Sequence, residues 1–165
     1  MADTAELAQA AAEELDLRGE RAGTWTTSLS GEASIRAREM IAAAPDRLWF
    51  LATGETTVSG AGSVPGGRNQ EAALAAAVAI EGHPAVFAAF ATDGVDGTTD
   101  AAGAVVGATT TTAIREAGHD PAGLLAAHRA HEALGAARAL VHTGPTGNNL
   151  GDLWMVWRTR TSRQE

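Results

Sequence analysis

The sequence predicts an α/β domain, a single layered unit in which a mixed sheet is flanked by helices. Three observations carry this. Short apolar runs suited to buried strands alternate with longer segments of helical periodicity. Three polar, glycine-rich loops, at residues 60–69, 92–103 and 143–149, each follow a strand candidate. The 165 residues, 45% of them hydrophobic, show no internal repeat and fit one core.

Taken in order, Asp3 and Glu6 stand at capping-box spacing before an alanine-rich helix that stops near Gly19. "TWTTSL" puts Trp25, Thr27 and Leu29 on one side, a strand alternation. A helix follows over about 31–44 and ends before Pro45. Residues 1–45 therefore read as a lead-in helix, strand and helix packed on a main unit at 46–158, with 159–165 a frayed tail. "LWFLAT" (48–53) is a buried strand, and "TTVSG", after a tight turn at Gly54, another. "NQEAALAAAVAI" is a helix with Leu74 and Val78 on one face and Gly82 as its stop. "AVFAAFA" (85–91) is the next buried strand, and "TTTTAIREAG" a helix ending at Gly118. Asp120 and Pro121 supply an N-cap and a first-turn proline. "RALVHTG" and "LWMVWR" are the last strands, the second with Trp154 and Trp157 on opposite faces.

Composition narrows the function. A net charge of −8 argues against nucleic-acid binding, because a phosphate backbone needs a basic face. No apolar run approaches a membrane span, so no membrane role is expected. The acidic N-terminus lacks the basic region of a secretory signal, and the absence of cysteine suits a reducing compartment. A cytoplasmic protein is expected. All 12 basic residues are arginine.

Ligands of open α/β sheets sit at the carboxyl ends of strands, so the three loops are the candidate site. In "GSVPGGRNQE", glycines before a helix would leave backbone amides facing an anion, with the helix dipole behind them. Arg68 adds a bidentate fork, with Gly66, Gly67 and Asn69 beside it. The alternative is a glycine turn with Arg68 in a salt bridge. The spacing approaches a Walker A loop, but arginine replaces the lysine and asparagine the hydroxyl residue. "ATDGVDGTTDAAGA" carries Asp93, Asp96 and Asp100, flanked by Thr92 and Gly94. Its spacing excludes an EF-hand, since the twelfth residue is Ala104. A Mg²⁺ site at Asp93, a general base toward a hydroxyl, and local turn bonding all remain open. Asp100 is the residue expected to do only the last. In "TGPTGNN", Thr146 and Asn149 offer neutral donors and acceptors for sugar-like or hydroxy-acid oxygens. His128 and His131, three apart, read as solvated or partly packed residues rather than metal ligands.

"TGETTV", "GGRNQE", "ATDGVDGTTDAAGAVV" and "HTGPTGNNLGDL", in this order, resemble the MOFRL domain, the C-terminal domain of type-2 glycerate kinases, whose members also carry the name hydroxypyruvate reductase. The resemblance covers about residues 48–158, and "GEASIRAREM" is similar to the family's lead-in. It implies ATP- and Mg²⁺-dependent phosphorylation of D-glycerate to 2-phosphoglycerate. It also implies a cleft shared with a Rossmann-like N-terminal domain that contributes a lysine. That domain and that lysine are absent from this sequence, so a separate subunit would have to supply them. By the resemblance, Arg68 and Asp93 are the catalytic candidates. Glu55, Gly66, Gly67, Asn69, Thr92, Gly94, Thr146 and Asn149 are the candidates for binding glycerate or a related carboxylate or phosphate. Thr53 and Asn148 depart from the family's glycine and threonine. "AAHRAH" (126–131) replaces a polar "NNDSY"-like segment, which predicts one helix from Pro121 to Leu134. A stand-alone domain that binds anionic metabolites without catalysis, or an inactive fragment, is the alternative.

Overall fold

The computed structural model describes residues 4–159, so the expected Asp3 cap and nearly all of the expected tail lie outside the described residues. Helix α1 (Thr4–Leu17) ends on Gly19 at φ +79°, with Gly19 and Glu20 N–H closing onto Asp16 and Leu15 carbonyls. Strand β1 (Ala22–Thr24), helix α2 (Ala33–Ala43) and strand β2 (Trp49–Gly54) follow. Next come α3 (Arg68–Ala79), β3 (Ala85–Ala91), β4 (Gly103–Gly107) and α4 (Thr110–Glu116). The chain then forms α5 (Pro121–Ala126), α6 (Ala130–Ala136), β5 (Leu140–Val141) and β6 (Asp152–Arg158).

The fold is α/β, built on one six-stranded mixed sheet of order β1-β2-β6-β3-β4-β5. Only β1 and β2 pair in parallel, and every other neighbouring pair is antiparallel. Strands β1, β2, β3 and β5 therefore run the same way, and β4 and β6 the other. The carboxyl ends of β2, β3 and β5 meet the amino ends of β4 and β6 along one edge, which brings the three glycine-rich loops together.

Helices α2 to α6 contribute to one apolar core with Ala52, Phe87, Ala89, Val106, Trp154 and Val156 on one sheet face. Phe87 and Trp154 meet edge to face at 5.6 Å. Helix α3 is buried all round from Asn69 to Ala77, as a central helix must be. Its run of alanines lets α2 pack close, through Ala33, Ala37 and Met40. The other sheet face is covered only in part. Helix α1 lies against β1 and β2, while Val86, Phe90, Leu153, Met155 and Trp157 are half-buried. The two tryptophans thus divide between faces as the alternation predicts.

Four expectations are corrected. The first strand lies at 22–24, not over "TWTTSL". Trp25 stands just past the strand, its N–H still bonded to Leu51 O and its ring tilted against Phe50, and Leu29 returns through one bridge to Gly54. "TTVSG" is not a strand. Thr57 makes a single bridge to Glu32, and α2 begins at the next residue, so no second rung can form. Strand β4 has no counterpart in the sequence reading, because glycines bracket just three apolar residues there. The helix expected from Pro121 to Leu134 is broken at 127–129. The Arg129 N–H bonds to Leu124 O and the His128 N–H to Leu125 O, with His128 at φ +55°. This is a helix-terminating turn in which histidine takes the left-handed position that glycine usually fills.

A similar closure ends α6, with Arg138 at φ +55°, exposed, and no side-chain partner among the described residues. A non-glycine residue costs about 1–2 kcal/mol in this conformation, and glycine gives back about 0.5–1 kcal/mol in unfolded-chain entropy. Arg138→Gly is therefore expected to raise the unfolding free energy by up to about 1 kcal/mol in urea titration.

Candidate functional site

The site is organised by polar residues that α3 buries at its start. Asn69, Gln70 and Glu71 are each 3% exposed or less, so every donor and acceptor there needs a partner. Asp96, 1% exposed, supplies most of them. Its Oδ1 accepts from the Asn69 backbone N–H and side-chain amide, both at 3.1 Å. Its Oδ2 accepts from Gln70 N–H at 2.9 Å and Gln70 Nε2 at 3.1 Å. Burial pushes the Asp96 carboxyl up, while these hydrogen bonds favour its charged form. Asn69 carries the network onward, donating to Asp152 Oδ1 and accepting from Trp154 Nε1 at 2.7 Å. Gly67 permits this approach: a Cβ there would stand 2.3 Å from the Asp96 carboxyl carbon. Its φ of −155° is open to any residue, so space alone demands glycine.

The expected anion site is corrected by this arrangement. The anion at the N-terminus of α3 is the protein's own Asp96, and the Asn69 and Gln70 amides are not free for a ligand. Asn69, fully buried, is a structural residue. Arg68 makes the salt bridge that was the alternative reading. Its Nε and NH2 fork onto buried Asp152 at 2.6 and 3.0 Å, and NH1 meets exposed Glu55 at 3.1 Å. Asp152 raises the guanidinium pKa further above its usual value. This side-on pairing leaves the NH1 end of the guanidinium opposed by exposed Glu55.

That edge opens into a cleft of about 410 Å³. Glu55, Gly66, Gly67, Arg68, Glu71 and His128 are among the residues that line it. The remaining candidates, Thr92, Asp93, Gly94, Thr146 and Asn149, lie outside this lining and fasten two loops together. Thr146 donates from N–H to Asp93 O and from Oγ1 to Thr92 O. Thr92 Oγ1 donates to Gly151 O and accepts from Leu150 N–H. Gly94, at φ +86°, sits where a Cβ would strike Gly144 O. Asn149 Oδ1 accepts from Gly151 N–H.

The aspartate making a local turn bond is Asp93, which accepts from Val95 N–H at 3.0 Å, whereas exposed Asp100 lies near His142. His128 and His131 are anchors. Nδ1 of His128 meets Glu71 Oε1 at 2.9 Å, and Nδ1 of His131 donates to Gln70 Oε1 at 2.8 Å. Among the described residues, no group of three or more histidine, aspartate or glutamate side chains could hold a metal ion. The functional residues the sequence reading missed are Asp152, Gln70 and Glu71. A carboxylate opening an otherwise apolar strand was the available signal for the first, and polar residues opening a helix of alanines for the others.

The structure is thus an open mixed α/β sheet with a cleft at its strand ends, walled in part by a glycine loop and an arginine. The chain belongs to the MOFRL family, whose pattern matches residues 48–152. It is 41% identical over 140 residues to the D-glycerate 2-kinase of Thermotoga maritima, covering 84% of this chain and 33% of that protein. It is 38% identical over 157 residues to the glycerate 2-kinase of Pyrococcus horikoshii, covering 88% of this chain and 36% of that one. The crystal structure of glycerate kinase from Thermotoga maritima superposes with a TM-score of 0.89 at 33% identity, over 95% of this chain and 41% of that one. The chain thus spans about a third of the length of these curated relatives. Among the described residues, no helix is long and apolar enough to cross a membrane.

Removing the Asp96 carboxylate strands two buried backbone donors. Asp96→Ala is expected to lower the unfolding free energy by about 3–5 kcal/mol, and Gly67→Ala by about 1–3 kcal/mol, both read by urea denaturation. Glu71 gives a pH signature. Burial raises its pKa, against the pull of His128 and with Glu32 adding to the rise. The folded chain then holds a proton that the unfolded chain releases. That stabilisation is full below the ordinary glutamate value of about 4.3 and is lost as pH rises through the folded pKa. Glu71→Gln cannot ionise, so its stability relative to wild type should improve as pH rises from about 4 upward. Thermal melts across that range measure it.

Proposed function

We propose that this chain is the C-terminal portion of a glycerate 2-kinase. It would contribute to ATP-dependent phosphorylation of D-glycerate to 2-phosphoglycerate, with a Rossmann-like N-terminal domain completing the active site. The observation that supports it most is Arg68, on its glycine loop, with one guanidinium edge turned into the cleft of a domain 41% identical to a D-glycerate 2-kinase. A cytoplasmic location belongs to the same proposal.

Phosphoryl transfer depends on positioning and charge neutralisation. In this reading the NH1 edge of Arg68 exchanges Glu55 for the carboxylate of glycerate or a phosphate oxygen. Asp152, itself held by the Asn69 amide, fixes the guanidinium plane, so the fork is set before the ligand arrives. ATP would bring the phosphoryl group. Asp93 has one oxygen bonded within its own loop, and among the described residues it belongs to no group of three or more potential metal ligands.

A second reading is supported by the cleft being lined within this one chain, which suits a domain that binds a carboxylated or phosphorylated metabolite without catalysis. Kinase assays with D-glycerate, ATP and Mg²⁺ separate the two, run on the chain alone and with the N-terminal domain of the Thermotoga relative added. Turnover only with the added domain is the expected result, and no turnover in either case refutes the kinase reading. Arg68→Lys keeps the charge that neutralises Asp152 but loses the fork, and should lower kcat/KM of the completed enzyme about a hundredfold. Calorimetry with D-glycerate and 2-phosphoglycerate on the chain alone tests the binding reading.

A further inference from the structure

The cleft has a second polar group in its lining besides the arginine, for which the kinase reading has no role. The Glu71 side chain is 5% exposed and the His128 ring 27% exposed, and their Oε1 and Nδ1 atoms lie 2.9 Å apart. Among the described residues, Glu71 Oε1 is the partner of Nδ1 and Nε2 has none. A carboxylate on Nδ1 holds a neutral imidazole as the Nδ1–H tautomer, which leaves the Nε2 lone pair outward as an acceptor. Nε2 stands 3.8 Å from where a Cβ on Gly60 would be, beside the glycine loop, and the ring lines the cleft.

Two further observations mark this wall. The closures after α5 and α6 both put a side chain in the left-handed position, and the one at His128 carries its ring to Glu71. Thr56, 2% exposed, lines the same cleft, and its hydroxyl has no partner among the described residues.

We propose that the Glu71–His128 pair is a hydroxyl-recognition site. In it, Nε2 accepts a hydrogen bond from the hydroxyl of a small hydroxycarboxylate whose carboxylate takes the place of Glu55 on the NH1 edge of Arg68. This rests on the reading of the cleft as the acceptor-substrate side of the kinase. It adds the residue that would distinguish a hydroxy acid from a plain acid. A site built to pair with a hydroxyl rejects the analogue lacking it, because the imidazole is then left unpaired. His128 acts here as a binding residue and Glu71 as the residue that positions it.

The test is ¹⁵N-histidine NMR at pH 8 on the chain with the completing domain, titrated with D-glycerate and, separately, with propionate, which has the carboxylate but no hydroxyl. His128 should show the Nδ1–H tautomer before ligand. Its Nε2 resonance should move with D-glycerate and not with propionate, while His131 stays still. His128→Asn tolerates the left-handed backbone and should weaken D-glycerate binding about tenfold, leaving propionate unchanged. Glu71→Gln should blur the tautomer and weaken D-glycerate less. An unmoved Nε2 during saturable D-glycerate binding, or wild-type affinity in His128→Asn, overturns the proposal. Kinase turnover measured on the same samples separates the failures. Turnover with an unmoved His128 sinks this inference alone. Neither turnover nor binding sinks the kinase reading with it.

Discussion

The structure turns on one buried carboxylate placed against one helix end. Asp96 comes from the loop after β3 and sits over the first turn of α3, taking two backbone donors and two side-chain amides. A helix start buried without such a partner would leave several orphan donors, each costly out of water. The helix dipole and the hydrogen bonds both favour the ionised acid, while burial opposes it. What results is a joint between a loop and a helix that are 27 residues apart in the chain.

The cleft inherits its geometry from that joint. Gly66 and Gly67 must pass close to the aspartate loop, and Gly97 is equally tight, with no room for a Cβ against Gly66 O. Asn69, clamped by Asp96, reaches Asp152 at the start of β6, and Asp152 aims Arg68. The guanidinium is thus oriented through three side chains from three parts of the chain. Its charge is largely answered already by Asp152, so what it offers a ligand is a directed edge rather than a free cation. The Glu71 side of the cleft follows a similar logic. Glu71 and Gln70 are buried by the helix they begin, and two histidines from the α5–α6 junction answer them.

Much of the fold is legible in the sequence because it is local. The apolar runs of β2, β3 and β6 and the cap at Asp120 depend on neighbours within a few residues, and they stand where the pattern puts them. The errors fall where the deciding contact is distant or the usual marker is missing. Histidine in place of glycine hid the break between α5 and α6. The strand at 103–107 exists because β3 and β5 flank it, not because three apolar residues ask for it. The site divides the same way. Motif residues were identifiable, but which of them face a ligand was not, and Asn69 and Arg68 turned inward toward carboxylates instead.

By itself the sequence determined the layered α/β class, the family, and the three loops that gather at one sheet edge, since hydrophobic period and glycine spacing are properties of short stretches. Only the tertiary structure decided that Asp96 occupies the helix end, that Asp152 aims Arg68, and that Glu71 and His128 share a wall of the cleft. Those are pairings between residues tens of positions apart. Their partners are chosen by burial, which leaves each polar group to find whichever complement the packed chain brings within reach.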